Sequence, residues 1–298
     1  MTVKAGPPRF RCVREPDNST TPPERPQDVA SDPPLFAKPI SKARWWTHLV
    51  LLASYPLAIG LMSFYAADSI DVSEAALSAD PFVLLVQIAE QLGFFFVLFG
   101  LAWLASRATG KQLLLGWKGG IGPILRGLAY SIGLRLAIGI LAVCAVVVGM
   151  MLGGLDEETI QELRPKVERT IDIEAIETSP LYLFINVTLV SFVFAGLREE
   201  LWRAGVLAGL AALFPRLFDS VVGKLGAVAI VAVIFGLGHF SQGWGGVALT
   251  TGLGVGLGAI MVFHKSIWDA VLAHGFFNAS SFVLMHLLVK FFPEYSPF

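Results

Sequence analysis

The sequence predicts an all-α protein, a polytopic bundle of transmembrane helices preceded by a disordered tail. Hydrophobic residues make up 55% of the 298 residues and charged residues only 15%, whereas about 25% of the residues of a soluble domain are charged. The hydrophobic residues also come in long blocks, each about as long as a helix that crosses a bilayer. The net charge of −1 gives no reason to expect a nucleic-acid partner.

The distribution of apolar and charged residues divides the chain into four regions. Residues 1–44 are rich in proline and lack apolar periodicity, so we expect a disordered cytoplasmic tail. Residues 45–153 hold a first group of transmembrane helices. Residues 154–180 form a charged surface loop, whose few apolar residues allow at most an amphipathic helix lying on the membrane. Residues 181–298 hold a second group of transmembrane helices.

The apolar blocks predict seven spans, or eight if the long fourth block is divided. Basic residues precede the first span and follow the second, fourth and sixth spans. Because basic loops stay on the cytoplasmic side, we expect a multi-pass protein of the cell membrane with its N-terminus in the cytoplasm. The predicted spans are residues 45–65, 81–106, 121–151, 180–214, 226–240, 245–263 and 267–288.

The fourth span carries the charged run Arg-Glu-Glu-Leu-Trp-Arg near its middle. Each charge at membrane depth costs roughly 2.5–3.5 kcal/mol unless it is paired or faces a wet cavity. Glu199 and Arg203, four residues apart, share a helix face, and Glu200 can also pair with Arg203. Glu90 and Arg135 could pair between the second and third spans. The run in the fourth span is therefore either a structural polar node or part of a site.

Two later apolar helices favour a site, because each is predicted to carry a histidine. His239 lies in the fifth span and His274 in the seventh, followed by Asn278. A carboxylate or imidazole can take a proton from water, while Asn278 and a second histidine stabilise an oxyanion. Zinc or another divalent metal is also possible, since two histidines and one glutamate make a three-ligand site. The helical HExxH signature is absent, so we expect no metal.

These residues resemble the three motifs of the CPBP intramembrane proteases, EExxxR, FxxxH and HxxxN. The family includes CAAX prenyl endopeptidases of the Ras-converting type, and bacteriocin-processing and immunity proteins. Phe235 to His239 matches the second motif and His274 to Asn278 the third, in the family's order. The resemblance covers roughly residues 181–284 and implies that residues 181–298 are catalytic transmembrane helices.

The first motif departs from the family pattern, because Arg203 comes one residue early. Alignment on the arginine puts Glu199 at the family's second glutamate and Arg198 at its first. Alignment on the acids keeps Glu199 and Glu200 in place but turns the arginine by about 100° around the helix. A π-type bulge could restore the usual register of the arginine. We favour Glu199 as the water-activating residue, because it keeps a one-turn partnership with Arg203.

The resemblance implies an endopeptidase that cleaves peptide bonds inside or at the edge of the membrane. Its partners would be the lipid bilayer and a peptide or membrane-protein substrate, lipidated if the host prenylates proteins. A catalytically silent scaffold or immunity protein on the same fold is one alternative, which the shortened motif favours, and a proton-coupled transporter is another. The implied catalytic residues are Glu199, Glu200, Arg203, His239, His274 and Asn278.

Overall fold

A computed structural model describes residues 40–66 and 75–292, and the statements below refer to these residues. The predicted disordered tail falls almost entirely on residues 1–39, outside the described residues, so its disorder stays a prediction. The first helix begins at Lys42, three residues before the predicted first span. The division of the chain into four regions otherwise remains a prediction from the sequence.

The described residues form helices and no strands, which confirms the predicted fold class. The helices are α1 (Lys42–Ala66), α2 (Pro81–Ser106), α3 (Gly122–Met151), α4 (Glu157–Glu162), α5 (Ile173–Thr178), α6 (Pro180–Ile185), a π-helix (Asn186–Leu197), α7 (Arg198–Leu213), α8 (Val221–Leu237), α9 (Gly243–His264) and α10 (Ile267–Phe291). Single 3₁₀ turns lie at Val167–Arg169, Pro215–Phe218 and Phe240–Gln242.

Six helical segments of the described chain are long and apolar enough to cross a membrane. The protein is therefore a multi-pass membrane protein. The segment Pro180–Leu213 is one continuous helix of 34 residues, so the division that would give an eighth span does not occur. The predicted fifth span corresponds to α8, whose 17 residues rise about 25 Å, somewhat less than the roughly 30 Å hydrocarbon core.

The helices run alternately up and down, so their ends form two opposite faces of the bundle. At one face Arg44 donates to Ala105 O at 2.6 Å, which joins the start of α1 to the end of α2. Ile267 N donates to Leu114 O at the same face. We call this the basic face, because its described loops and helix ends carry Lys42, Arg44, Arg107, Lys111, Lys118, Arg216 and Lys265. Its charge agrees with the predicted distribution of basic loops.

The opposite face is covered by residues 156–178, which we call the cap. The sequence predicts a surface loop here, with an amphipathic helix on the membrane as one form. The structure instead has two short helices and a 3₁₀ turn that pack into the bundle, with Ile171 and Ile176 buried. His286 of α10 contacts Ile176 O at 3.0 Å. The cap is therefore a part of the folded bundle.

Glycines allow the π-helix and α10 to pack closely. A side chain at Gly196 would lie 3.0 Å from Val271 O, and one at Gly275 would overlap the ring of Phe192. Within the π-helix, the Ser191 hydroxyl donates to Asn186 O, five residues back, at 2.7 Å. The wide turns end at Leu197, so the π-type widening lies just before the first motif and sets the direction in which its side chains point.

The predicted pair between Glu90 and Arg135 is wrong. Arg135 donates to Phe277 O at 2.6 Å and to the hydroxyls of Ser280 and Ser281. The reason is that α3 packs along α10 and not along α2, which leaves Glu90 on an exposed face. Arg135 thus ties two helices together through a carbonyl and two hydroxyl groups.

Candidate active site

Two adjoining cavities lie inside the bundle on the side of the cap. The first, about 200 Å³, is bounded by α1, α2 and α7. The second, about 310 Å³, is bounded by the π-helix, α9, α10 and the cap. Both cavities are mostly apolar and share a wall formed by Leu77, Thr170, Phe194, Arg198, Glu199, Phe235 and His239.

Glu200 and Arg203 form an ion pair that does not line either cavity. Both side chains are almost completely buried, and the arginine Nη1 contacts Glu200 Oε2. The Arg203 guanidinium also lies 4.7 Å from the ring centroid of Phe235. The expected partnership of Arg203 with Glu199 is therefore wrong, because the helix turns Glu200 and Arg203 together into the protein interior.

Glu199 pairs with its neighbour Arg198 and lines both cavities. The arginine Nη2 donates to Glu199 Oε1 at 3.0 Å, and each of these side chains is 12% exposed. The Arg198 guanidinium lies 3.8 Å from the ring centroid of Phe194. Of the two glutamates, Glu199 is thus the one that a molecule in the cavities can reach.

His274 connects the two glutamates from α10. Its Nδ1 lies 3.0 Å from Glu200 Oε1, and its Nε2 lies 3.8 Å from Glu199 Oε2. Because an ionised carboxylate only accepts hydrogen bonds, Nδ1 donates to Glu200. This bond fixes the ring, so that Nε2 points towards Glu199 and the second cavity.

His239 lies in the turn after α8, not inside an apolar helix as the sequence predicted. The helix ends at Leu237, and the chain turns before α9 begins at Gly243, where φ is +75°. The His239 Nδ1 lies 3.0 Å from Phe235 O. Since a carbonyl oxygen only accepts, Nδ1 donates this bond and leaves Nε2 free to accept a proton.

Phe235 and Asn278 complete the surroundings of the polar groups. The Phe235 ring lies 4.6 Å from the His239 ring and also faces Arg203, so it separates the buried ion pair from the cavities. Asn278 follows His274 by one turn of α10 and lines the second cavity. Glu199, His239, His274 and Asn278 therefore meet at one cavity, while Glu200 and Arg203 support them from behind.

Two residues that line both cavities are not assigned to the site by the sequence. Arg198 enters the sequence analysis only as a departure from the motif, although it lines both cavities. Thr170 of the cap also lines both cavities, and Gln242 donates to its hydroxyl at 3.2 Å. The charged run signalled Arg198 in advance, but no local pattern links Thr170 to residues some seventy positions later.

A metal site was an alternative from the sequence. Among the residues that the structure describes, no group of three or more His, Cys, Asp or Glu side chains could hold a metal ion. The side chains as placed therefore do not fit the three-ligand zinc site. That the reaction is metal-free stays a prediction.

The fold and the cavities define a class of protein, a multi-pass helical membrane protein with a polar site inside its bundle. Residues 181–280 match the family model described as type II CAAX prenyl endopeptidase Rce1-like. The match confirms the resemblance of these residues to the CPBP and CAAX proteases. No curated protein and no solved structure matches the chain.

Proposed function

We propose that the protein is an intramembrane endopeptidase that cleaves peptide bonds with a water molecule activated by Glu199 and His239. The observation that carries the proposal is the second cavity, which is lined by Glu199, His239, His274 and Asn278 from three separate segments. A carboxylate, two imidazoles and an amide around one cavity are the groups that general base catalysis and oxyanion stabilisation need. The match of residues 181–280 to the model of a protease family supports a peptide substrate.

In the proposed reaction, Glu199 and the Nε2 of His239 hold the water and accept its proton as its oxygen attacks the peptide carbonyl. The Asn278 amide then donates to the carbonyl oxygen, and Nε2 of His274 does the same in the doubly protonated ring, whose Nδ1 donates to Glu200, so that both stabilise the negative charge. The proton taken from water passes to the amide nitrogen as the C–N bond breaks, which releases an amine and a carboxylic acid. The second proton of the water, left on the new carboxyl group, then passes to the amine and leaves a carboxylate. The pair of Glu200 and Arg203 holds His274 in place.

We further propose that the basic face lies in the cytoplasm and the cap on the outer side of the cell membrane. The basic loops support this orientation, because positive residues flanking membrane spans are retained in the cytoplasm. The substrate would be a peptide or a segment of a membrane protein whose apolar side chains fit the cavity walls. A prenylated peptide is one form that such a substrate can take.

The experiment is incubation of the purified protein in lipid vesicles with a proteome-derived peptide library, with and without prenylated members. We expect cleavage by the wild type and none by Glu199→Gln. Glu90→Gln is the matched control, since Glu90 is an exposed glutamate of α2. This variant should cleave the peptides as fast as the wild type. Equal cleavage by wild type and Glu199→Gln would exclude the proposed mechanism.

One observation favours a catalytically silent scaffold or immunity protein as a second candidate. Aligned on Arg203, the chain has Arg198 where the family pattern has its first glutamate. This candidate would be supported if the wild-type protein cleaves no peptide of the library, with or without the prenylated members. The family match does not favour a transporter.

A further inference from the structure

Arg198 is a cation in the wall of both cavities, next to the proposed base. It comes one residue before Glu199 and lines each cavity. Arg203, the other arginine of the first motif, is buried behind Phe235 and lines neither. The chain therefore presents a guanidinium, and not only a carboxylate, to a molecule in the cavities.

The described residues use little of the hydrogen-bonding capacity of Arg198. A guanidinium has five N–H donors in a planar fork that matches a carboxylate. Within the described ranges, only Nη2 makes a hydrogen bond, to Glu199 Oε1 at 3.0 Å. The Nε of Arg198 is buried and has no hydrogen-bond partner among the residues that the structure describes. A buried donor that lacks a partner costs free energy, which an incoming acceptor would recover.

The surroundings strengthen the attraction of Arg198 for an anion. Phe194 lies against the guanidinium at 3.8 Å, and Phe235 and Leu77 line the same wall. Apolar walls lower the local dielectric and strengthen the field of a single charge. Glu199 neutralises Arg198 when it is ionised, but it loses its charge when it takes the proton from water. An anion of the substrate then becomes the counterion of Arg198.

We propose that Arg198 binds a carboxylate of the substrate, so that the site selects peptides with a carboxylate close to the cleaved bond. This inference rests on the proposed function. The carboxylate is either the free C-terminus of the peptide or the side chain of Asp or Glu. Because Arg198 touches Glu199, the carboxylate lies within one or two residues of the cleaved bond, at about 3.3–3.6 Å per residue.

The test uses matched libraries of short peptides made as free acids and as C-terminal amides, each with Asp and Glu or with Asn and Gln. We expect the wild type to cleave carboxylate peptides at least about tenfold faster, the gain from a hydrogen-bonded charge. Arg198→Met should abolish this ratio, and Arg198→Lys should restore part of it. Arg135→Met is the control. The guanidinium of Arg135 donates to α10, and Arg135 lines neither cavity. This variant should therefore show the same ratio of cleavage rates between carboxylate and uncharged peptides as the wild type.

A binding measurement separates this inference from the proposed function. Fluorescently labelled acid and amide peptides are titrated onto Glu199→Gln, where the competing carboxylate is gone and acid peptides should bind at least about tenfold tighter. Adding the substitution Arg198→Met to Glu199→Gln should remove the difference in affinity between acid and amide peptides. Preferential binding without cleavage by the wild type would refute the protease and keep the inference. If the wild type cleaves acid and amide peptides at equal rates, the inference is overturned and the protease is kept. The same follows if Arg198→Met lowers the cleavage rate of both peptide forms equally.

Discussion

Two arginine–glutamate pairs stand side by side on one helix and have different surroundings. The pair of Glu200 and Arg203 is fully buried and contacts His274 and Phe235. The pair of Arg198 and Glu199 is partly exposed and lines the cavities. A shift of one residue, about 100° around the helix, thus separates a buried structural pair from a pair that a substrate can reach.

The comparison shows why residue type alone does not assign a role in this motif. A buried charge is stabilised by its partner, so loss of one member leaves the other without compensation. A charge at a cavity is hydrated when it loses its partner, and its loss affects chemistry more than folding. Each pair should therefore respond to substitution in a different measurement, stability for one and cleavage for the other.

The largest expected effect is on stability, at Glu200. Glu200→Gln leaves the buried Arg203 without a carboxylate, which should cost about 3–5 kcal/mol of unfolding free energy. Replacement of both members by apolar residues, Glu200→Leu with Arg203→Met, should restore most of that loss. Thermal unfolding in detergent measures both. A Glu200→Gln protein as stable as Glu199→Gln would remove the distinction between the pairs.

The next effect is on catalysis, at Glu199 and His239. Glu199→Gln and His239→Ala should each lower the cleavage rate at least about a hundredfold, or roughly 2.7 kcal/mol. Both should unfold near the temperature of the wild type, because neither side chain neutralises a fully buried charge. Rates are compared at matched amounts of folded protein. Unimpaired cleavage in His239→Ala would exclude this histidine as a base.

A smaller effect is expected where the π-helix meets α10. Gly275→Ala would push a methyl group into the ring of Phe192, and overpacking of this kind costs about 1–3 kcal/mol. Because His274 precedes this residue, cleavage should fall together with stability. Gly93→Ala in α2 is the control, since a methyl group there would meet no atom within 4 Å. Equal stability of the two variants would argue against close packing at Gly275.

The smallest effect concerns the hydrogen bonds between the cap and the turn after His239. Gln242→Ala removes the donor to Thr170 but keeps the bond from Lys166 N to the backbone carbonyl of residue 242. One hydrogen bond is worth about 0.5–1.5 kcal/mol. We expect faster amide hydrogen exchange in the cap, with little change in the unfolding temperature. Unchanged exchange would mean that the cap does not depend on this bond.

The helical class and most of the spans could be predicted from the sequence, because hydrophobic blocks depend only on composition along the chain. The end of α8 could not, since apolar residues continue to Phe240 while the helix stops at Leu237. That error placed His239 inside a span. The cap was also missed, because Ile171 and Ile176 are buried by distant helices and nothing in the local pattern shows it.

The structure brings one or more residues of each motif to the second cavity, but the motifs could not assign their partners. Positions 199 and 200 differ little in their angle to Arg203 around an α-helix, about 40° against 60°. The choice depends on the π-helix before the motif and on where α10 brings His274. Both features are non-local, so the predicted pairing of Glu199 with Arg203 was wrong. The position of Glu199 at the cavity nevertheless supports the prediction that Glu199 is the base.

The short α8 has a consequence for the lipid around the protein. A helix of 17 residues is several ångströms shorter than the hydrocarbon core of a typical bilayer, and such a mismatch is relieved when the bilayer thins locally. Thinning beside His239 would bring water closer to the cavities. The rate of cleavage should therefore fall in vesicles made of lipids with progressively longer acyl chains, and a rate independent of chain length would contradict this view.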